Sequence, residues 1–347
     1  LPRQVMPENG LSLEQLRESI GAMEKIYVNL SAIRESWWRN MFYGKPSFAL
    51  ELTVPHAGEE ISFYVALPRR FGSAIEKIIE GVFPDAQVEP TPDYNIFNPT
   101  GESVGASLSL KESYISPLRT YRAMENDPLR ELANAFSKLQ TVGEGASLQI
   151  VARPADSRIA KSIMNHAKSA YEGKSAVVEK TSLAGELYRM FASSRPTQTK
   201  GSDKTSEPQH RLSPREEEQV RLIESKGSHP LFHANIRVVA SAATKARAEE
   251  ILNAITSAFR QFREPGMNEF TVRFMSGRAL KRLFYQFSFR ALNSRSSMAL
   301  SSEELTSIFH FPNVPLETPK LSIVKSRQAP PPIGLPLSGL LLGKSVY

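Results

Sequence analysis

The feature that most constrains this chain is a switch of hydrophobic period, between two and about 3.6 residues, repeated in a fixed order. Ser12 with Gln15 three residues on forms a capping box, and Leu13, Leu16, Ile20, Met23, Tyr27 and Leu30 then recur at helical steps. Phe48, Leu50, Leu52 and Val54 alternate with polar neighbours, as do Ile61, Phe63, Val65 and Leu67 after a turn around Gly58, which predicts a hairpin. Ser73 with Glu76 reads as a second capping box, opening a helix that buries Ile75, Ile78, Ile79 and Val82 and stops at Pro84. Ala86 to Val88 reads as a short strand, and Pro2 to Met6 as the tail of another. The order strand, helix, strand, strand, helix, strand is the ferredoxin-like pattern.

The same order returns with an interruption. Val104 to Leu110 reads as a strand, Asp127 caps a helix with Pro128 at its first position, and Ala146 to Ala152 reads as the next strand. A helix from about Ser157 to Tyr171 follows where a hairpin is expected. Between Arg195 and Glu218 the composition falls to Ser, Thr, Pro, Lys and Glu, which predicts a flexible linker. Alternation resumes at Phe232, a helix spans Lys245 to Phe262, and Phe270, Val272 and Phe274 close the unit. The expected fold class is therefore α+β, with two ferredoxin-like units in tandem over 1–98 and 99–275. The second carries an insertion at about 155–228 that contains the linker at about 195–218. Residues 276–347 form a basic helical segment and a connector. Seven prolines between Pro312 and Pro336 make that connector an extended arm, because proline fixes φ and removes a donor.

A length of 347 residues suits two or three domains, and 41% hydrophobic residues supply cores. Cysteine is absent, which excludes disulfides, zinc–thiolate sites, iron–sulfur clusters and thiol nucleophiles and fits a reducing compartment. No stretch reaches the roughly 18 apolar residues of a membrane helix. Leu1 opens no basic-then-apolar leader, so we expect no signal peptide and a segment cut from a longer protein. The net charge of +7 is concentrated near the C-terminus: Gly277 to Tyr347 holds nine Lys/Arg against three acids. Such a segment points either to phosphate or an acidic partner, or to a solvated surface.

Candidate chemistry is sparse. Gly339 and Gly343 before Lys344-Ser345 are separated by three residues where a phosphate loop needs four, so a strand is expected here rather than a nucleotide site. His229 and His233 are four apart, but Pro230 between them forbids the shared helical face that a metal pair needs. His166 and His310 read as surface or packing residues, and no serine sits in a nucleophile elbow. The expectation is no catalytic residue, no metal and no cofactor. Trp37-Trp38 with Phe42 and Tyr43 is expected to pack in a core, with a membrane-interface belt or a partner surface as the alternative. The stretch from Lys281 to Arg290 interleaves charge with rings. It suits either a helix or strand with one buried face, or single-stranded nucleic acid, whose phosphates meet cations while its bases stack on rings. The candidate nucleic-acid residues are Arg278, Lys281, Arg282, Arg290 and Arg295. No strand carries the aromatic signature of RNA-recognition modules.

Ile308-Phe309-His310-Phe311-Pro312, then Thr318-Pro319, Ala329-Pro330-Pro331-Pro332, Leu335-Pro336 and the Gly339 to Gly343 run resemble the region before the motor in HerA/FtsK-type ATPases of conjugation and type IV secretion. Leu148 to Pro154 and Ala258 to Phe262 are similar to that family's α/β region. The resemblance covers most of the chain and is strongest over 230–347, but it does not extend to the motor, so no ATPase residue carries over. It implies a non-catalytic α/β region at the cytoplasmic face of the bacterial membrane, between an anchor preceding Leu1 and a downstream motor. The partners implied are DNA, secretion-channel or ATPase subunits, and further copies of the chain assembled through the motor. The roles implied are hexamer assembly, channel docking or DNA guidance. A free-standing nucleic-acid-binding protein is the rival reading, and an enzyme with a novel site is the third.

Overall fold

The computed structural model describes residues 12–33, 44–56, 60–84, 86–139, 142–172 and 212–312, together with 35, 38 and 41. The expected strand at Pro2 to Met6, most of the linker and the Pro-rich arm with its Gly339 to Ser345 run lie outside these residues. Among the described residues the fold is mixed α/β, with seven strands and eight α-helices. The strands are β1 (Phe48–Val54), β2 (Ser62–Ala66), β3 (Glu102–Leu110), β4 (Gly145–Pro154), β5 (Leu231–Ala242), β6 (Phe270–Phe274) and β7 (Met298–Ser301). The helices are α1 (Leu13–Ser31), α2 (Gly72–Val82), α3 (Pro128–Ser137), α4 (Ser157–Tyr171), α5 (Pro214–Ser228), α6 (Lys245–Ser257), α7 (Gly277–Ser288) and α8 (Ser302–Ile308).

All seven strands join one antiparallel sheet in the order β2-β1-β4-β5-β3-β6, with β7 on the first residues of β5. Both expected units contribute to it. The β1–β2 hairpin of the first unit adds to β4 of the second through the pairs Phe48–Ala152 to Val54–Ala146. Residues 86–98 form no strand, and the short strand expected at Ala86 to Val88 is absent. The chain there crosses the sheet instead, burying Ile96 against Val239, Leu283 and Phe287.

The period-two alternation divides the sheet into an apolar and a polar face. Phe48, Leu50, Leu52, Leu148, Ile150, Phe232, Ile236, Val238, Val104 and Leu108 belong to one core with residues of α1, α2, α3, α6 and α8. Each such Leu, Ile or Phe taken fully out of water contributes about 1.5–3 kcal/mol. A smaller cluster joins Ile159 and Ile163 of α4 to Val220 and Ile223 of α5, the helices inserted between β4 and β5. Gly227 permits their close approach, since a Cβ there would lie 2.8 Å from Met164 Sδ. Lys226 anchors α5 through a 3.1 Å ion pair with Glu304 of α8, both side chains being 1% exposed.

Two local readings change. Helix α2 begins at Gly72 and has no side-chain cap, so Ser73 lies inside its first turn. The last residues assigned to the linker are helical: Ser213 and Glu216 form a capping box, and Glu216 and Glu217 sit at the positive end of α5.

Candidate nucleic-acid interface

The polar face of the sheet carries a row of residues in register. Glu51 pairs with Gln149, Gln149 with Arg237 and Arg237 with Ser107. Helix α7 lies over this face. Leu283 and Phe287 are buried beneath it, and Phe97 meets Phe284 and Phe287 edge-on at 5.5 and 6.2 Å. Gly105 makes room, because a Cβ there would come within 2.7 Å of Leu283 Cδ2.

The C-terminus of α7 is held by directional bonds. Gln149 Nε2 donates to Phe287 O at 2.9 Å and to Glu51 Oε1 at 2.7 Å. Arg237 donates to Gln149 Oε1 at 2.9 Å and to the carbonyls of Gln286 and Ala291. Burial brings the Arg237 guanidinium down to about 10, which leaves it charged at neutral pH opposite the negative end of the helix. The helix closes with the amide of Ala291 on Gln286 O and that of Arg290 on Phe287 O, a Schellman arrangement. The left-handed position of that motif, usually a glycine, is Arg290 at φ 49°. Its side chain grips Glu51 through Nε and Nη2 at 2.9 and 3.0 Å, and Asp93 through Nη2 at 2.7 Å. Burial works against the Arg290 charge, but the bonds to Asp93 and Glu51 outweigh it and raise its pKa. The bond from Arg290 in turn holds the Asp93 carboxyl below its ordinary value.

Arg290 is therefore committed to the fold. The other four candidates are exposed. Arg278, Lys281 and Arg282 share one face of α7 with Tyr285 and Phe289 by their spacing of three and four residues, and they enter no ion pair among the described residues. Arg295 sits apart, in the turn Ser294–Ser296. Tyr285 and Phe289 are 62% and 68% exposed with ring centroids 4.7 Å apart, and Phe274 of β6, just before the helix, is 56% exposed. The buried-face reading of the charged aromatic stretch holds for one side of the helix. Helical period turns Phe284 and Phe287 inward and leaves Tyr285 and Phe289 outside with the cations. This outer face can meet phosphate oxygens and offer rings to unstacked bases.

The remaining sequence candidates fall elsewhere. His310 is buried, with Nε2 3.0 Å from Asp127 Oδ1 and Nδ1 2.9 Å from Thr306 O. His166 is half-buried on α4. His229 ends α5 while His233 lies in β5, so the two share no helix. Trp38 is 64% exposed, whereas Trp37, Phe42 and Tyr43 lie outside the described residues. Among the described residues no helix is long and apolar enough to cross a membrane.

A family model described as a domain of unknown function, DUF8128, matches residues 15–323. The chain belongs to the DUF8128 family. The match spans the whole sheet, both inserted helices and α7. No curated protein matches the chain.

Proposed function

We propose that this chain is a non-catalytic α/β region of a membrane-associated DNA-transfer ATPase of the type IV secretion kind, and that the outer face of α7 guides single-stranded DNA. In this reading β3-α3-β4-β5-α6-β6 is a ferredoxin-like unit, and α1-β1-β2-α2 is an incomplete second copy that extends its sheet. One observation carries the binding role: Arg278, Lys281 and Arg282 stand exposed and without ion pairs among the described residues, beside two exposed rings on a helix whose opposite face is fixed. The charge of the same segment that serves folding, at Arg290, is neutralised separately. The ATPase context rests on the pre-motor pattern at Ile308 to Pro312 and the prolines beyond it.

Fluorescence anisotropy with a labelled single strand tests the binding role. Three phosphate contacts give a slope of about −2 in log K against log salt, from roughly −0.7 per contact. Reversal of Arg278, Lys281 and Arg282 to Glu abolishes that slope and most of the affinity. Binding that ignores the reversal refutes the interface. The reading frame after Tyr347 tests the context: a complete phosphate loop supports the coupling ATPase, and an immediate stop favours a free-standing nucleic-acid-binding protein.

A further inference from the structure

Three elements far apart in the chain converge on His229. Glu24 of α1, His229 at the end of α5 and Glu303 of α8 bring one donor atom each to within 4.8 Å of one another. His229 Nε2 lies 3.4 Å from Glu24 Oε1 and 3.4 Å from Glu303 Oε2. Its Nδ1 is 2.7 Å from Ser225 O and donates to that carbonyl, so the other ring nitrogen, Nε2, faces both carboxylates.

The other oxygens of the two carboxylates are already engaged. Tyr121 Oη donates to Glu24 Oε2 at 3.3 Å and Arg122 Nη2 does so at 3.2 Å. Thr120 Oγ1 donates to Glu303 Oε1 at 2.5 Å, with Arg122 Nε at 3.5 Å. Ser302 Oγ donates at 3.3 Å to Glu24 Oε1, the oxygen that itself faces Nε2. These contacts hold one oxygen of each carboxylate facing Nε2, as outer partners hold metal ligands, and the Nδ1 bond to a backbone carbonyl is the usual support for a ligating imidazole.

The two spacings from Nε2 to the carboxylate oxygens match a tetrahedral edge, since zinc bonds of about 2.0–2.1 Å place neighbouring donors roughly 3.3–3.4 Å apart. An octahedral magnesium ion would need edges of about 3 Å, and it prefers oxygen donors to imidazole.

We propose that Glu24 Oε1, His229 Nε2 and Glu303 Oε2 form a binding site for a divalent transition metal, zinc in particular, with water as the fourth ligand. The site is accessible, since the side chains are 14%, 25% and 9% exposed. Bound there, the ion ties the end of α5 to α1 and α8.

The test uses the full chain, stripped with a chelator and titrated with zinc chloride by calorimetry, with magnesium chloride as contrast and cobalt(II) as a spectroscopic probe. The expected result is one zinc per chain, no comparable magnesium binding and a tetrahedral cobalt absorption. Glu24→Gln, His229→Gln and Glu303→Gln should each weaken zinc at least tenfold, while His166→Gln leaves it unchanged. Far-UV circular dichroism of each metal-free variant shows whether it folds, and Glu24→Gln stands in should His229→Gln fail. Absence of saturable zinc uptake by the wild-type chain overturns the proposal, as does uptake that Glu24→Gln and His229→Gln leave intact.

Discussion

Arg290 offers the sharpest test of how α7 is held, because its backbone and its side chain make separable contributions. Its left-handed φ costs a non-glycine residue about 1–2 kcal/mol. Its guanidinium, 26% exposed, makes a side-on pair with Glu51, which is fully buried. Removing one partner of a buried pair typically costs about 3–5 kcal/mol, and the partial exposure of Arg290 puts this pair near about 3 kcal/mol. Arg290→Met loses the pair and keeps the backbone cost, so it should destabilise by about 3 kcal/mol. Arg290→Gly loses the same pair but relieves the backbone, so it should cost about 1 kcal/mol less.

Urea unfolding of the two variants, with wild type and the double variant Glu51→Gln/Arg290→Met, reads these terms. The double variant should recover a large part of the loss, since the amide that replaces the Glu51 carboxylate is neutral and its oxygen still accepts from Gln149. Single-stranded DNA affinity of the folded Arg290→Met protein should stay within about twofold of wild type, because this charge is already neutralised by Glu51 and Asp93. Equal stability of the Met and Gly variants would refute the backbone argument. Lost DNA binding with unchanged stability would make Arg290 a contact residue after all.

Arg278→Glu/Lys281→Glu/Arg282→Glu should leave the urea midpoint almost unmoved, within about 0.5 kcal/mol per site, since all three side chains are exposed and without ion pairs among the described residues. Gly145→Ala should destabilise by about 3 kcal/mol in the same assay, as a Cβ there would lie 2.3 Å from Ile96 O, a backbone atom with little freedom to move. The His310–Asp127 pair makes stability depend on pH. Burial opposes the His310 charge but the Asp127 carboxylate outweighs it and raises the pKa, while His310 overcomes the burial of Asp127 and lowers its pKa. The raised histidine stabilises fully below its unfolded value of about 6.5 and loses that contribution as pH rises through its folded value. The lowered aspartate stabilises above its unfolded value of about 3.9 and loses that contribution as pH falls through its folded value. His310→Gln should flatten the decline in urea midpoint as pH rises above the unfolded histidine value of about 6.5, and a slope equal to wild type would refute the assignment.

Local signals in the sequence are legible because their partners are near in the chain. The capping box at Ser12 forms between residues three apart, and it is present. The alternation in β1 also holds, although its polar members Glu51 and Thr53 are buried, since no local pattern tells that a helix will cover the second face. Pairing over long separations is not legible. Nothing in Phe48 to Val54 says that β1 will add to β4. Tyr94, Ile96 and Phe97 resemble strand residues but pack across the polar face, where Asn98 N bonds Ser241 Oγ instead of a ladder partner. Arg290 reads as a surface cation because its acidic partners, Glu51 and Asp93, lie in other segments. The cluster of Glu24, His229 and Glu303 forms no motif for the same reason.

The polar covering of the second face bears directly on the proposed binding role of α7. An apolar contact alone would leave α7 free to slide or rotate, since hydrophobic attraction has little direction. Bonds from Gln149 and Arg237 to three carbonyls at its C-terminus, with the side-on grip of Arg290 on Glu51, fix both rotation and position. With rotation fixed, Arg278, Lys281, Arg282, Tyr285 and Phe289 form one preset surface, and a strand that binds there bears no cost of ordering the helix. Variants that loosen the anchor, such as Gln149→Leu, should therefore weaken DNA binding while leaving its salt slope unchanged, because the phosphate contacts remain the same in number.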